Sequence, residues 1–106
     1  MSISNLFDNI NQYEIGDVVR VSGVFTNQVR GAAIDPAVVT FLYKPYLLPT
    51  VTLTYGIDAA VVRDGTGNYH VDVDANASGP WTWRWASTGI GQAADEGQFY
   101  VKPTLV

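Results

Sequence analysis

The segment from Arg63 to Trp85 constrains the fold of this chain more than any other. Gly65 and Gly67 predict a tight corner, because glycine reaches positive φ without steric cost. Apolar and polar residues then alternate from Tyr69 to Asp74, the period-2 pattern of a half-buried strand. A loop of Asn, Ser, Gly and Pro leads to the run WTWRW, whose three indoles share one face. The segment predicts two consecutive strands of one antiparallel sheet.

Further segments with strand patterns cover residues 18–26, 37–44, 51–55, 59–63 and 95–102. Pro45 and Pro49 bracket one connection, and this region is expected at an edge of the sheet or outside it, because proline donates no ladder hydrogen bond. About seven or eight short strands, at a spacing of roughly 8–12 residues and with no long helical pattern, predict an all-β chain. Among all-β folds, the pattern favours an immunoglobulin-like antiparallel β-sandwich with a short N-terminal arm.

The corner before Tyr69 gives this prediction a specific form. Many sandwiches carry a tyrosine near the start of a late strand, and its hydroxyl bonds back across the preceding corner. We expect Tyr69 to do so, which puts Val71 in the place of the second cysteine of disulfide-bonded immunoglobulin domains. The chain has no cysteine. Aliphatic and indole packing is therefore expected to replace the bridge.

The length of 106 residues predicts one folded domain, at residues 13–106, preceded by an arm at residues 1–12. The arm is mostly polar, and its apolar residues are spaced for one or two helical turns: Ile3, Leu6, Phe7 and Ile10. Two interpretations stay open, a frayed terminus or an arm that docks on a partner or on a neighbouring copy.

Charge and hydropathy narrow the classes of partner. The net charge of −4 argues against nucleic-acid binding, which needs a basic face. No apolar run approaches the roughly 18 residues of a membrane span. The N-terminus has neither a basic start nor a continuous apolar stretch, so we expect no signal peptide. We therefore expect the chain to be made in the cytoplasm.

The polar residues predict no cofactor, no metal and no catalysis. His70, the single histidine, is expected to be solvent-exposed. Four acidic residues are the best candidates to cluster around calcium, although no loop of spaced aspartates supports such a site; they are Asp72, Asp74, Asp95 and Glu96. The alternative is a solvated strand face on which Arg84 pairs with Asp72 across strands.

The indole face has two interpretations. Flat exposed indoles can stack on sugar rings, whereas an inward face is simply core. We expect Trp83 to be buried, and Trp81 and Trp85, nearer the strand ends, to be less so.

The order of segments resembles a family of small immunoglobulin-like proteins encoded among the structural genes of tailed bacteriophages and prophages. The resemblance runs from Tyr13 to Val101 through YEIGDVVRVSGVFTN, DPAVVTFLYKP, VVRDGTGNYHVDVD, GPWTWRWASTG and EGQFYV. It implies a virion component, such as a head decoration, neck or tail accessory protein, and no catalytic residue.

The resulting hypothesis is a non-enzymatic protein that is made in the host cytoplasm and acts in the virion, where it binds other virion proteins or its own copies. Loops held on a rigid scaffold are where sandwiches usually place recognition. The candidate partner-binding residues lie in the arm, in the loop at 27–36 and after the second strand: Ile3, Leu6, Phe7, Ile10, Arg30 and Tyr46. The alternative hypothesis is a carbohydrate-binding or host-adhesion module that uses exposed aromatic residues.

Overall fold

The structure is a computed structural model that describes residues 11–27, 31–88 and 94–103. The chain is all-β, with eight strands in two sheets, which confirms the predicted β-sandwich class. The strands are β1 (Asn11–Glu14), β2 (Val18–Val24), β3 (Val38–Lys44), β4 (Val51–Thr54), β5 (Val61–Gly65), β6 (Asn68–Asp74), β7 (Gly79–Thr88) and β8 (Ala94–Lys102).

Five strands form one sheet in the order β1-β8-β7-β3-β4, and three form the other in the order β2-β6-β5. All pairs are antiparallel except β1 with β8, which run parallel. The prediction that the strands around Tyr69 and Trp83 share a sheet is wrong, because β6 and β7 lie in opposite sheets. β6 and β7 each have a strongly apolar face, and these two faces pack against each other across the sandwich.

The alternation read from the sequence holds along β2, and along β6 except at His70, which is buried. Val19 and Val21 of β2 face inward, opposite Val73 and Val71 of β6. The inward faces of both sheets meet in one aromatic-rich core, whose largest fully buried side chains are Trp81, Trp85, Phe25 and Phe41. Gly23 is part of this contact, because a Cβ at that position would lie 2.8 Å from the Trp85 indole.

The expected ranking of the tryptophans is wrong. Trp81 and Trp85 are 1% and 0% exposed, whereas Trp83 is only half-buried. Trp81 lies beside Phe99, and Trp85 lies between Phe41 and Asp95. Trp83 lies between Tyr43 and Gly97. Its indole spreads over that glycine, where a Cβ would come within 2.6 Å of the ring. Position along the strand does not set burial here.

The strand at the N-terminal end was not predicted. β1 begins at Asn11, so the last two residues of the predicted arm belong to a strand that pairs with β8 from Phe99 to Lys102. Residues 1–10, and with them Ile3, Leu6, Phe7 and Ile10, lie outside the described residues. No described residue belongs to a helix, and none of the described segments could therefore cross a membrane as a helix.

Candidate partner-binding surface

The connection between β3 and β4 displays apolar side chains to solvent. Its four-residue turn is closed by a hydrogen bond of 3.2 Å from the Leu48 amide to the Pro45 carbonyl. Leu47, the third residue of the turn, has φ of 60°, the only positive φ of a non-glycine residue in the described segments. Turns of this kind favour glycine or asparagine at that position, because other L residues are strained there.

Three neighbouring side chains of this turn are exposed: Tyr46 by 51%, Leu47 by 78% and Leu48 by 45%. We call these three residues the apolar turn. Tyr46 packs over Gly79, where a Cβ would lie 2.8 Å from the tyrosine side chain, and this contact ties the turn to β7. The turn is therefore held against the sandwich while its most exposed residue faces solvent.

Of the sequence-predicted binding residues, the structure describes only Tyr46. Arg30, like the four arm residues, lies outside the described segments. Leu47 and Leu48 were not proposed from the sequence, although an apolar run between two prolines carried the signal. Leu47 is largely exposed, so the fold gains little from burying it, and neighbouring exposed apolar residues often mark an interaction site.

A groove opens beside the apolar turn, between the edges of the two sheets. The pairing of β5 with β6 ends with Val61 opposite Val71, so β6 continues for three residues without a strand partner on that side. The gap between β4 and the end of β6 is about 500 Å³ in volume, within the range of about 300–1,000 Å³ typical of ligand sites. We call it the β4–β6 groove.

The walls of the β4–β6 groove are mainly apolar, with carboxylates on the β6 side. The apolar wall comprises Tyr43, Pro45, Leu48, Pro49, Val51, Leu53, Ala60, Val73 and Trp81. Asp72, Asp74 and Asn76 complete the lining, and no basic residue of the described segments takes part in it. The Tyr43 and Trp81 rings stack with centroids 5.8 Å apart, so Trp81 closes the floor rather than offering a free face.

The two carboxylates differ in their partners. Asp72 accepts two hydrogen bonds from Arg20, at 2.8 Å from Nε and 3.0 Å from Nη2. These bonds hold the pKa of the Asp72 carboxyl below its usual value. Asp74 makes no side-chain hydrogen bond or ion pair within the described part of the chain. The expected cross-strand pair of Asp72 with Arg84 is wrong, since Arg84 lies in the other sheet.

The opposite end of the sandwich carries a cluster built around Asp35. Its carboxylate accepts hydrogen bonds from Arg63 Nη2 at 2.8 Å and, through Oδ1, from the Gly67 amide at 2.8 Å and the Tyr69 hydroxyl at 2.9 Å. We call these four residues the Asp35 cluster. It fastens the β2–β3 connection to the β5–β6 hairpin.

The electrostatics follow from these contacts. The Arg63 guanidinium, with the Gly67 amide, holds the pKa of the Asp35 carboxyl well below its usual range. Burial, reinforced by the hydrogen bond to Asp35, raises the pKa of Tyr69 to about 12. The two pKa shifts keep Asp35 ionised and Tyr69 neutral, so the Tyr69 hydroxyl can donate its hydrogen bond to the Asp35 carboxylate.

The predicted role of Tyr69 needs correction. Its hydroxyl bonds to Asp35, 34 residues away, and not across its own corner. Val71 faces Val21 within one sheet, so that position does not link the two sheets as the second immunoglobulin cysteine does. The corner before Tyr69 connects β5 to β6, two paired strands of the same sheet.

His70 is also placed differently from the prediction. It is 9% exposed, and its Nδ1 lies 2.7 Å from Oδ2 of Asp64. A carboxylate only accepts, so Nδ1 is the donor in this contact. His70 lies on the central strand of its sheet, where flanking strands shield even an outward-facing ring.

The four acidic residues named for calcium do not cluster. Asp72 and Asp74 lie on β6, whereas Asp95 and Glu96 lie on β8 of the other sheet. Nowhere in the described segments do three His, Asp or Glu side chains come together to hold a metal ion.

Comparison with known proteins does not assign the chain to a family. No protein-family model matches the sequence, and a search of curated proteins finds no significantly similar one.

Proposed function

We propose that this chain is a non-enzymatic virion structural protein of a tailed bacteriophage, a head decoration, neck or tail accessory protein that binds other virion proteins. The observation that carries the proposal is the apolar turn, in which Leu47 is 78% exposed at a positive φ. Strain and exposed apolar area both oppose the stability of the free domain, and both are typical of a surface kept for binding. The resemblance to phage structural proteins supplies the virion context.

We also propose that the sandwich is immunoglobulin-like. The order β2-β6-β5 corresponds to strands B-E-D of a variable-type domain, and β8-β7-β3-β4 corresponds to G-F-C-C′. In this correspondence β6 is strand E and β7 is strand F, which explains why the corner before Tyr69 does not behave as a tyrosine corner.

A protein partner is favoured over a glycan. The carbohydrate-binding alternative loses its two predicted indoles, because Trp81 and Trp85 are buried in the core. The apolar turn instead presents a tyrosine beside two leucines with no charged side chain, and the centres of protein interfaces are enriched in tyrosine and depleted of charged residues.

Incorporation into particles tests the proposal. Particles are purified from a host that carries the encoding genome, and the copies of this chain per particle are counted by quantitative mass spectrometry. Leu47→Ser should lower the copy number strongly. The matched control is Val18→Ser, which removes a side chain 62% exposed on the other sheet and should leave the copy number unchanged. Equal incorporation of both variants, or no chain in wild-type particles, would contradict the proposal.

The arm is tested separately. Deletion of residues 1–10 leaves β1 intact, because its first residue is Asn11. We expect this truncation to fold and to be incorporated less well than the full chain. If the truncated chain is incorporated as well as the full chain, the arm is not part of the binding surface, and the apolar turn is its centre.

A further inference from the structure

We propose that the β4–β6 groove binds an extended segment of a partner protein that carries an apolar side chain next to a lysine or arginine. The inference deepens the proposed function, since it rests on that function for the class of partner and adds the place and chemistry of the contact.

The shape of the groove fits an extended chain. β6 has no strand neighbour beyond Val71 on the β5 side, and β4 forms the facing edge. A segment laid between them occupies the path that β5 would follow if it were longer. Extended segments commonly bind in this way at the edge of a sheet, with alternate side chains directed into pockets.

The floor of the groove accepts an aliphatic side chain. Leu53 and Val73 both line it, and Trp81 closes its base. Burial of an aliphatic side chain against such a wall is favourable in proportion to the apolar area removed from water. Trp81 is 1% exposed and stacks on Tyr43, so its indole offers no free face to a sugar.

The acidic side of the groove favours a positively charged residue in the bound segment. Asp72 is already engaged by Arg20, whereas Asp74 lacks a charged partner among the described residues. A lysine or arginine next to the inserted side chain completes the pair with Asp74. The net charge of −4 makes a second copy of this chain a poor occupant, since like charges would meet at the acidic side of the groove.

The test uses three synthetic peptides on the ¹⁵N-labelled full chain. Each is acetylated, amidated and seven residues long, with Val-Leu-Val alternating with four lysines, four glutamates or four serines. We expect the lysine peptide to shift the amide resonances of Leu53, Ala60 and Val73 in a saturable manner. The serine peptide should bind more weakly, and the glutamate peptide should not bind.

Two variants test the charge. Asp74→Lys should weaken binding of the lysine peptide about tenfold, because it replaces an attractive exposed pair with a repulsive one. Asp95→Lys makes the same change in net charge on β8, away from the groove, and should alter the affinity by less than about twofold.

Several outcomes would overturn the proposal: no saturable shifts at the groove, equal binding of the lysine and glutamate peptides, or equal loss in both variants. Shifts of the same resonances by an oligosaccharide panel, without shifts by the lysine peptide, would assign the groove to a glycan. If Leu47→Ser still lowers incorporation while the peptides fail, only the groove proposal is wrong. If both tests fail, the proposed function is wrong as well.

Discussion

Asp35 and Asp74 lie near the two ends of β6, and they illustrate how differently the two ends of the sandwich are built. Asp35 accepts hydrogen bonds from Arg63, from the Gly67 amide and from Tyr69, and it closes its end of the molecule. Asp74 borders an apolar groove with no charged partner in the described structure. A carboxylate bonded to several groups holds elements together, whereas Asp74 is exposed beside apolar residues and is free to pair with a cation of a partner. The hydrogen bonds of the closed end stabilise the fold, and we propose that the open end binds a partner.

Truncation of core residues should show this difference most strongly. Trp85 is fully buried at the closed end, against Phe25 and Phe41. Trp85→Ala should lower the free energy of unfolding by about 3–5 kcal/mol. Leu53→Ala, at the half-buried wall of the groove, should lower it by about 1–2 kcal/mol, because part of that side chain is already in water. Urea unfolding measures the free energy of unfolding of both variants. Equal decreases would contradict the proposed difference between the two ends.

Tyr69→Phe isolates the hydroxyl that contacts Asp35. The side chain is buried and its partner is charged, so the loss should be about 1–2 kcal/mol. Tyr55→Phe is the matched control, since Tyr55 packs on Tyr69 with ring centroids 5.3 Å apart and is 43% exposed. It should change stability by less than about 0.5 kcal/mol. If the two variants unfold at the same urea concentration, the cluster does not stabilise the closed end.

The pH dependence of stability should follow the Asp35 cluster in both directions. The pKa of Asp35 is lower in the folded state than in the unfolded state, so its stabilisation is present above the unfolded value and is lost as pH falls below about 4. The pKa of Tyr69 is raised to about 12, so its contribution is present below pH 10 and is lost as pH rises toward that value.

Unfolding midpoints measured across this range should form a plateau with two falling limbs. In Asp35→Asn the acid limb should be shallower, because the carboxyl whose pKa is shifted has been removed. An unchanged acid limb in that variant would show that other carboxylates produce it.

The smallest effect on stability is expected at the open end. Leu47→Asn replaces a strained residue by one that tolerates positive φ, and it should leave stability unchanged or raise it by up to about 1 kcal/mol. The same variant should be incorporated less well into particles, as Leu47→Ser should. A variant that is more stable and less able to bind identifies a surface that evolved for binding. Destabilisation by more than about 1 kcal/mol would show that Leu47 serves the fold.

Local pattern predicted most of the strands, because alternation along β2, β6 and β7 depends only on which face is buried. Pairing could not be read in the same way. β1 is only four residues long and is defined by its contact with β8, at the other end of the chain. The partner of Asp72 depends on which strand lies beside β6, and that is β2, so Arg20 and not Arg84 meets it.

The candidate surface was only partly predictable for a related reason. Tyr46 was identified from its residue type, because tyrosine is common at protein interfaces. Leu47 and Leu48 carry a different signal, which was missed: they lie in an apolar run between two prolines. The β4–β6 groove has no local signal, since it arises because β5 is shorter than the strand it pairs with. Such a mismatch between neighbouring strands becomes visible only when their register is known.

A cryo-EM map of the particle whose genome encodes this chain would show which surface of the domain meets other virion proteins. We expect the domain on a capsid or tail, with Leu47 and the β4–β6 groove buried against a neighbouring protein and the Asp35 cluster away from that contact. A particle that lacks the chain would contradict the virion role. A particle in which the Asp35 end makes the contact, while the apolar turn remains in solvent, would contradict the assignment of the two ends.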